Sequence, residues 1–214
     1  MAAGLGRRFD DQVPKQFHLI NGKPLIFYSL KAFFDFNPNI KIILVLNKKW
    51  FTHWNEMCAS SKMNIPHLVV EGGESRSESV SKALNEVPDS SCVMIHDAAR
   101  PCLKLDLIER LYKGFLENGN AVPSLPVTNA IRKVTAGKSE WLDRDLYHNI
   151  QTPQVFLSSD LKKALRENMA HDCFDESELM EKNGNPIFTV LGDPINIKVT
   201  YPLDIQLAGL ILSN

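Results

Sequence analysis

The chain has 214 residues, 44% of them hydrophobic, and 24 Lys and Arg stand against 25 Asp and Glu for a formal net charge of −1. This length and apolar content suit one domain over residues 1–214 with a sizeable core, and the balanced charge excludes the global basic field of a nucleic-acid binder. Cys58, Cys92, Cys102 and Cys173 form no CxxC pair, the apolar runs fall far short of the roughly 20 residues that span a bilayer, and Met1 to Arg8 lacks a signal peptide's apolar stretch, so the expected setting is a reducing cytoplasm away from membranes.

In chain order, Leu25 to Phe36 has a helical period, and Ile40 to Leu46 is an apolar run suited to a buried strand. A helix at Lys48 to Cys58, a strand at His67 to Val70, a helix at Ser75 to Val87, a strand at Cys92 to Ile95 and a helix at Leu105 to Asn118 follow. In the last helix Leu107, Leu111 and Phe115 share a face with Ile108, leaving Lys113 and Glu117 for water. This alternation predicts a parallel α/β sheet. From Pro123 to Ile150 the rhythm changes. Val127 to Val134 and Asp143 to Ile150 flank a Gly-Lys turn at Gly137 and Lys138, which reads as a β-hairpin arm over about 127–150. The α/β rhythm returns with a strand at Gln154 to Phe156, helices at Ser158 to Met169 and Asp175 to Lys182, and a strand at Ile187 to Leu191. Thr200 and Pro202 make a cap and first-turn pair for a final helix to about Leu212.

Ala2-Ala3-Gly4-Leu5-Gly6-Arg7-Arg8, followed by Pro14-Lys15-Gln16, spaces its glycines so that successive backbone N–H groups can turn toward one anion, with Arg and Lys adding charge where a polyphosphate would sit. The same residues suit a glycine turn with a solvated basic face, and they match neither a Walker loop nor a GxGxxG dinucleotide site. Ile95-His96-Asp97-Ala98-Ala99-Arg100-Pro101 directly follows an apolar strand, which puts Asp97 on the sheet edge where α/β proteins bind ligands. A hard oxygen ligand there suits Mg²⁺, which takes its remaining ligands from water and phosphates. A turn cap at Asp97 with Arg100 as its ion-pair partner is the structural alternative. Glu71-Gly72-Gly73-Glu74-Ser75-Arg76-Ser77-Glu78-Ser79 is a strand exit into a helix start, where Ser75 and Ser77 are natural caps and paired glycines let backbone approach a flat base. A distributed set comprises Asp143-Arg144, Thr152-Pro153-Gln154 and Ile197-Lys198-Val199-Thr200. Arg144 can grip a phosphate with its planar fork and Lys198 offers a point charge, although each also suits a surface cation.

Taken in order, Ala-Ala-Gly-x-Gly-Arg-Arg, Pro-Lys-Gln, Gly-Gly-x-x-Arg-x-x-Ser, His-Asp-Ala-Ala-Arg-Pro, Asp-Arg, Thr-Pro-Gln and Ile-Lys-Val-Thr resemble the 2-C-methyl-D-erythritol 4-phosphate cytidylyltransferases of the non-mevalonate isoprenoid pathway, from about residue 2 to residue 212. The resemblance implies a doubly wound, mostly parallel sheet of the Rossmann-like nucleotidyltransferase kind, with an arm that exchanges with a partner in a homodimer. It also implies a Mg²⁺-dependent transfer of CMP from CTP to a polyol phosphate, 2-C-methyl-D-erythritol 4-phosphate. In that picture Ala2, Ala3, Gly4 and Gly6 cradle the CTP phosphates, and Gly73, Glu74, Arg76 and Ser79 surround cytosine and ribose. Arg8 and Lys15 match the pair that stabilises charge on the α-phosphate. Asp97 matches the magnesium ligand and touches both nucleotide and substrate, with Arg100 and Thr152 on the substrate side. Arg144, from the partner's arm, and Lys198 match the residues that hold the polyol phosphate. Histidines such as His96 are then structural, because the nucleophile is already an anion.

Two departures from the family accompany the match. The family carries an apolar strand before the glycine loop, at the centre of the sheet, whereas Met1 stands directly before Ala2 here; the expectation is a sequence that begins late and leaves the neighbouring strands without a partner. In the arm, the family's Asp-Thr-hydrophobic-Lys becomes Asn129-Ala130-Ile131-Arg132, and Ala130 has no hydroxyl to offer a phosphate. The alternatives are a ribitol 5-phosphate cytidylyltransferase, which would differ at the arm, and a catalytically inactive CTP-binding dimer. An NAD-dependent oxidoreductase is disfavoured by the glycine spacing.

Overall fold

The computed structural model describes residues 1–4, 13–61, 63–168 and 173–213. A 3-10 turn at Lys15–Phe17 leads into a short hairpin, β1 (Leu19–Ile20) and β2 (Lys23–Pro24), and then α1 (Leu25–Phe36) and β3 (Ile43–Leu46). A 3-10 turn at Lys48–Trp50 runs into α2 (Phe51–Ser60), followed by β4 (Leu68–Glu71), α3 (Arg76–Leu84), β5 (Cys92–Ile95) and α4 (Leu105–Asn118). Next come β6 (Asn120–Pro126), β7 (Arg132–Thr135), β8 (Lys138–Trp141), a 3-10 turn at Arg144–Leu146 and β9 (His148–Ile150). The chain ends through β10 (Gln154–Leu157), α5 (Ser158–Glu167), α6 (Glu176–Lys182), β11 (Thr189–Leu191) and α7 (Pro202–Leu212).

Local chemistry sets the helix ends. Ser75 accepts a hydrogen bond from the Glu78 N–H and starts α3, and Asp175 does the same for α6 through Glu178. α4 stops at Gly119, whose φ of 79° lies in the left-handed region. At α7 the cap is Tyr201 rather than Thr200; the Asp204 carboxylate reaches back to both N–H groups, at 2.7 Å from Thr200 and 2.8 Å from Tyr201.

The sheet is mixed in sequence order but mostly parallel in direction. β4 pairs parallel with β3, β11 pairs parallel with β6, and β10 lies antiparallel between β5 and β6, so β5 and β6 share a direction. Alternation along the strands assigns the faces: Val93, Ile95, Val122 and Phe156 pack with α3, α5 and α6, while Val155 and Ala121 pack with α1 and α4. Helices therefore cover both faces, the arrangement that a Rossmann-like α/β sheet requires. Against this sheet α4 comes close through Gly114, where a Cβ would meet Val190 Cγ1 at 3.0 Å and Ala121 Cβ at 3.1 Å.

Between β3 and β5 only Met1 and Ala2, among the described residues, carry the backbone ladder. The Met1 α-amino group donates to the His96 carbonyl at 2.5 Å, and the Ala98 N–H donates to the Met1 carbonyl at 3.0 Å. These bonds straddle Asp97, the pattern of a parallel bridge. On the other side the Ala2 N–H donates to the Val45 carbonyl at 3.0 Å. Behind Met1 lies a cavity of about 420 Å³ whose lining includes Phe33, Ile42, Leu44, Met94 and Ile95.

Several boundaries differ from expectation. β3 begins at Ile43, three residues after the apolar run does, and the Lys48 helix opens with a 3-10 turn because Asn47 accepts a hydrogen bond from the Lys49 N–H. β6 is a strand that the sequence does not announce, since Pro123 and Pro126 interrupt it. Pro123 joins the sheet through its carbonyl, which accepts from the Gln151 N–H at 2.9 Å. The hairpin is shorter than Val127 to Ile150: it runs over β7 and β8 and turns at Ala136 and Gly137, whose φ values of 49° and 78° define a type I′ turn, so that Lys138 is already in β8. The segment after it returns to the sheet as β9, which pairs with β6.

Leu111 in α4 is 0% exposed and Leu116 is 64% exposed. Leu111→Ala should therefore cost about 2–5 kcal/mol in urea unfolding and Leu116→Ala no more than about 0.5 kcal/mol. Equal losses would show that α4 is docked on another face.

Candidate active site

β5 ends at Ile95 and delivers Asp97 to the carboxyl edge of the sheet, one residue past buried His96. Only 15% of the Asp97 side chain is exposed, yet it has two cations: Lys198 Nζ lies 2.6 Å from Oδ2 and Arg76 Nη2 lies 3.5 Å from Oδ1. Burial by itself raises the Asp97 carboxyl, but Lys198 and Arg76 outweigh it and hold the group well below the usual carboxylate range. Arg76 also forms a bidentate pair with Glu176, Nη1 on Oε1 and Nη2 on Oε2. Burial opposes the Arg76 charge and the Glu176 carboxylate more than restores it.

Behind the carboxylate, Thr152 holds the loop. Its hydroxyl accepts from the Asp97 N–H at 3.0 Å and lies 3.1 Å from His96 Nδ1, while His96 Nε2 lies 3.2 Å from the Arg100 carbonyl. These partners suit a neutral imidazole that donates from Nε2 and accepts at Nδ1. Burial lowers His96 from 6.5 to about 3. The buried Asn196 amide completes the support by donating to the Thr152 carbonyl at 2.9 Å.

The segments at 2–3 and 72–79 meet at the same edge. Ala3 packs against Gly72 so closely that a Cβ on Gly72 would lie 2.5 Å from the Ala3 Cβ. The Gly73 N–H donates to Ser79 Oγ at 2.9 Å and the Glu74 N–H to Glu78 Oε2 at 2.8 Å, which fixes the exit from β4. Gln16 donates to the Ala2 carbonyl at 2.7 Å, and Lys15 Nζ donates to the Val199 carbonyl at 2.8 Å. Val199 in turn donates to the Ala99 carbonyl at 2.8 Å, so Lys15, Lys198 and the Asp97 loop form one wall.

Thus Ala2, Ala3, Lys15, Gly73, Ser79, Arg76, Asp97, Thr152 and Lys198 converge, and Gly4 is exposed. Gly6 and Arg8 lie outside the described residues. Arg100 is not the ion-pair partner of Asp97: its Nη1 donates to the Asn196 carbonyl at 2.8 Å, and Lys198 and Arg76 take the carboxylate instead. Arg76, expected beside cytosine and ribose, has its guanidinium between Glu176 and Asp97. Arg144 lies in the 3-10 turn between β8 and β9, where Nη1 donates to the Thr128 carbonyl at 2.6 Å and Nε lies 3.7 Å from Asp145. Glu176 and Asn196 are the site residues that sequence reasoning misses; an acidic residue after a helix cap and an Asn in a loop look like ordinary surface positions.

Comparison with known proteins decides the family. The family model for IspD, 2-C-methyl-D-erythritol 4-phosphate cytidylyltransferase, matches residues 1–214. The chain belongs to this cytidylyltransferase family. The Bacteroides fragilis protein of that name is 35% identical over 212 residues, covering 99% of this chain and 97% of its own. A bifunctional enzyme IspD/IspF of Desulfotalea psychrophila is 37% identical, with 97% of this chain matched to 54% of the longer protein. Among solved structures, the Francisella tularensis 2-C-methyl-D-erythritol 4-phosphate cytidylyltransferase superposes with a TM-score of 0.79 at 31% identity, covering 98% of this chain and 96% of that one. The Thermus thermophilus enzyme gives 0.80 at 26% identity over 94% and 95% of the two chains. As a cytidylyltransferase the chain is an enzyme of the nucleotidyltransferase class, and among the described residues no helix is long and apolar enough to cross a membrane.

His96 gives this site a pH signature. Its pKa is about 3 in the fold against 6.5 as an ordinary histidine, so the unfolded chain binds a proton that the native state excludes. The contribution of His96 is complete above pH 6.5 and is lost as pH falls toward 3, by up to about 1.4 kcal/mol per pH unit. His96→Gln should flatten the decline in melting temperature between about pH 6 and about pH 4.5. An unchanged slope would mean that the imidazole is protonated in the fold.

Proposed function

We infer that the chain transfers the CMP half of CTP to 2-C-methyl-D-erythritol 4-phosphate, giving 4-diphosphocytidyl-2-C-methyl-D-erythritol and pyrophosphate. The observation that carries this reading is the Asp97 carboxylate set between Lys198 and Arg76 beside the backbone of Met1, which leads into Ala2 and Ala3. A site of cations around one carboxylate suits the joining of two phosphates. The nucleophile is a phosphate monoester whose second pKa near 6 leaves it largely dianionic, so it needs help approaching another anion rather than a base.

On this reading the backbone of Ala2, Ala3, Gly4 and Gly6 faces the CTP phosphates, and Gly73, Glu74, Arg76 and Ser79 border the nucleoside. Lys15 and Arg8 offset charge that builds on the α-phosphoryl group. Lys198, its side chain 48% exposed, reaches from Asp97 toward solvent and holds the incoming phosphate, with Arg100 and Thr152 shaping that side. Arg144 joins them from a partner's arm in a homodimer. The exposed apolar residues Val134, Trp141 and Leu146 on and beside the arm support that assembly. The chain acts as one unit over residues 1–214, with the arm at about 127–150 inserted for dimerisation, in the cytoplasm.

The residues present fit a nucleotide-borne Mg²⁺. Among the described residues no group of three or more His, Cys, Asp or Glu forms a metal cage, but Mg²⁺ needs only one or two carboxylates when phosphates and water complete its shell. Asp97 would hold it through Oδ1, the oxygen with the looser cation contact. When bound, the ion offsets phosphate charge.

Pyrophosphate should appear when the protein meets CTP, Mg²⁺ and methylerythritol phosphate; turnover with ribitol 5-phosphate in its place would reassign the acceptor. Lys15→Ala should lower turnover on the order of 10²–10³-fold with the melting temperature nearly unchanged, and full activity would remove the role given to Lys15. Light scattering at micromolar concentration should report a dimer. A monomer with full activity would end the shared-site role of Arg144.

A further inference from the structure

The buried carboxylate of Glu176 is unexplained by the substrate-facing roles above. Glu176 is the first residue of α6 and its side chain is 3% exposed. Its position is fixed from two directions. Asp175 caps the helix through the Glu178 N–H, and the next residue, Ser177, donates its N–H to the side chain of Gln154 at 2.9 Å. Gln154 is fully buried in β10 opposite Ile95 of β5, so the start of α6 is registered to the strand that delivers Asp97.

Arg76 is held just as firmly from the other side, as the first residue of α3 after the Ser75 cap. Its guanidinium then faces two carboxylates of unequal claim. Glu176 takes the bidentate pair, with Nη2 to Oε2 at 2.8 Å, while Asp97 Oδ1 stays at 3.5 Å, beyond the 2.7–2.9 Å of a charge-assisted hydrogen bond. If Glu176 were neutral, Asp97 would be the stronger anion available to Arg76. The guanidinium would close on Oδ1 and occupy the oxygen assigned above to the nucleotide-borne ion.

We propose that Glu176 is a positioning residue that anchors Arg76 and so keeps Asp97 Oδ1 open for the nucleotide and its counter-charge. The proposal rests on the cytidylyltransferase reading of the site for its functional consequence, but its geometric core does not. The cluster of Arg76, Lys198, Asp97 and Glu176 carries balanced charge, and Glu176 decides how that charge is shared. Burial pushes the Glu176 carboxyl up and the Arg76 guanidinium pulls it down, which leaves the pair dependent on the bidentate contact.

The test uses the full chain with Glu176→Gln, Arg76→Met and the double variant, each checked for folding by circular dichroism. A crystal structure of Glu176→Gln should show Arg76 Nη2 moved from 3.5 Å to about 2.8 Å from Asp97 Oδ1. CTP affinity by calorimetry and kcat/KM for CTP should each fall about 10- to 100-fold, and the double variant should be no worse than Arg76→Met alone. If Arg76 keeps its place, or if Glu176→Gln lowers only the melting temperature, or if the two losses multiply, the proposal is overturned. Pyrophosphate release by the unaltered protein, measured in parallel, judges the functional reading on its own: silence there with Arg76 shifted in the variant would sink the activity and keep the positioning.

Discussion

An ionised carboxylate with 15% exposure is stable only where cations meet it, and Asp97 meets Lys198 and Arg76. That requirement ties together segments far apart in the chain: the end of β5, the start of α3, the loop before α7 and, through Arg76, the start of α6. Each arrives by ordinary means, a strand end or a capped helix start. The site is therefore a meeting of termini, where backbone N–H groups and side chains are still available to a ligand. Thr152, His96 and Asn196 lie beneath it and keep the Asp97 loop from relaxing.

The loop proposed to face the nucleotide is coupled to the centre of the sheet. Met1 and Ala2 bridge β5 and β3 with backbone hydrogen bonds, and Ala3 continues from them onto Gly72. The residues proposed to face phosphate thus also join the two halves of the sheet, and the apolar cavity begins behind Met1. The centre of the sheet and the loop proposed to face phosphate share one short stretch of backbone.

Much of the fold was legible in the sequence because it is written in local periods. α1, α4 and α7 and the strands β4, β5, β10 and β11 follow from apolar spacing, caps and the Thr-x-Pro start, within a few residues. β6 was not, because Pro123 and Pro126 argue against a strand and pairing with β10 and β9 on one side and β11 on the other overrides them. The hairpin was placed but its turn was displaced by one residue, since Ala136 adopts a positive φ that Ala seldom takes. In the site, Asp97, Lys15 and Lys198 were visible as motif residues, whereas the partnership of Arg76 with Glu176 spans 100 positions and leaves no local mark.

The sequence by itself determined the α/β class, the family and the residue types proposed to face phosphate, because periodicity and ordered motifs are properties of the chain read along its length. The tertiary structure decided which cation answers which carboxylate. It set Lys198 and Arg76, not Arg100, against Asp97, and it turned the Thr152 hydroxyl inward to the Asp97 loop. Charge pairing depends on distances of a few ångströms between segments that the chain order separates, and only packing sets those distances.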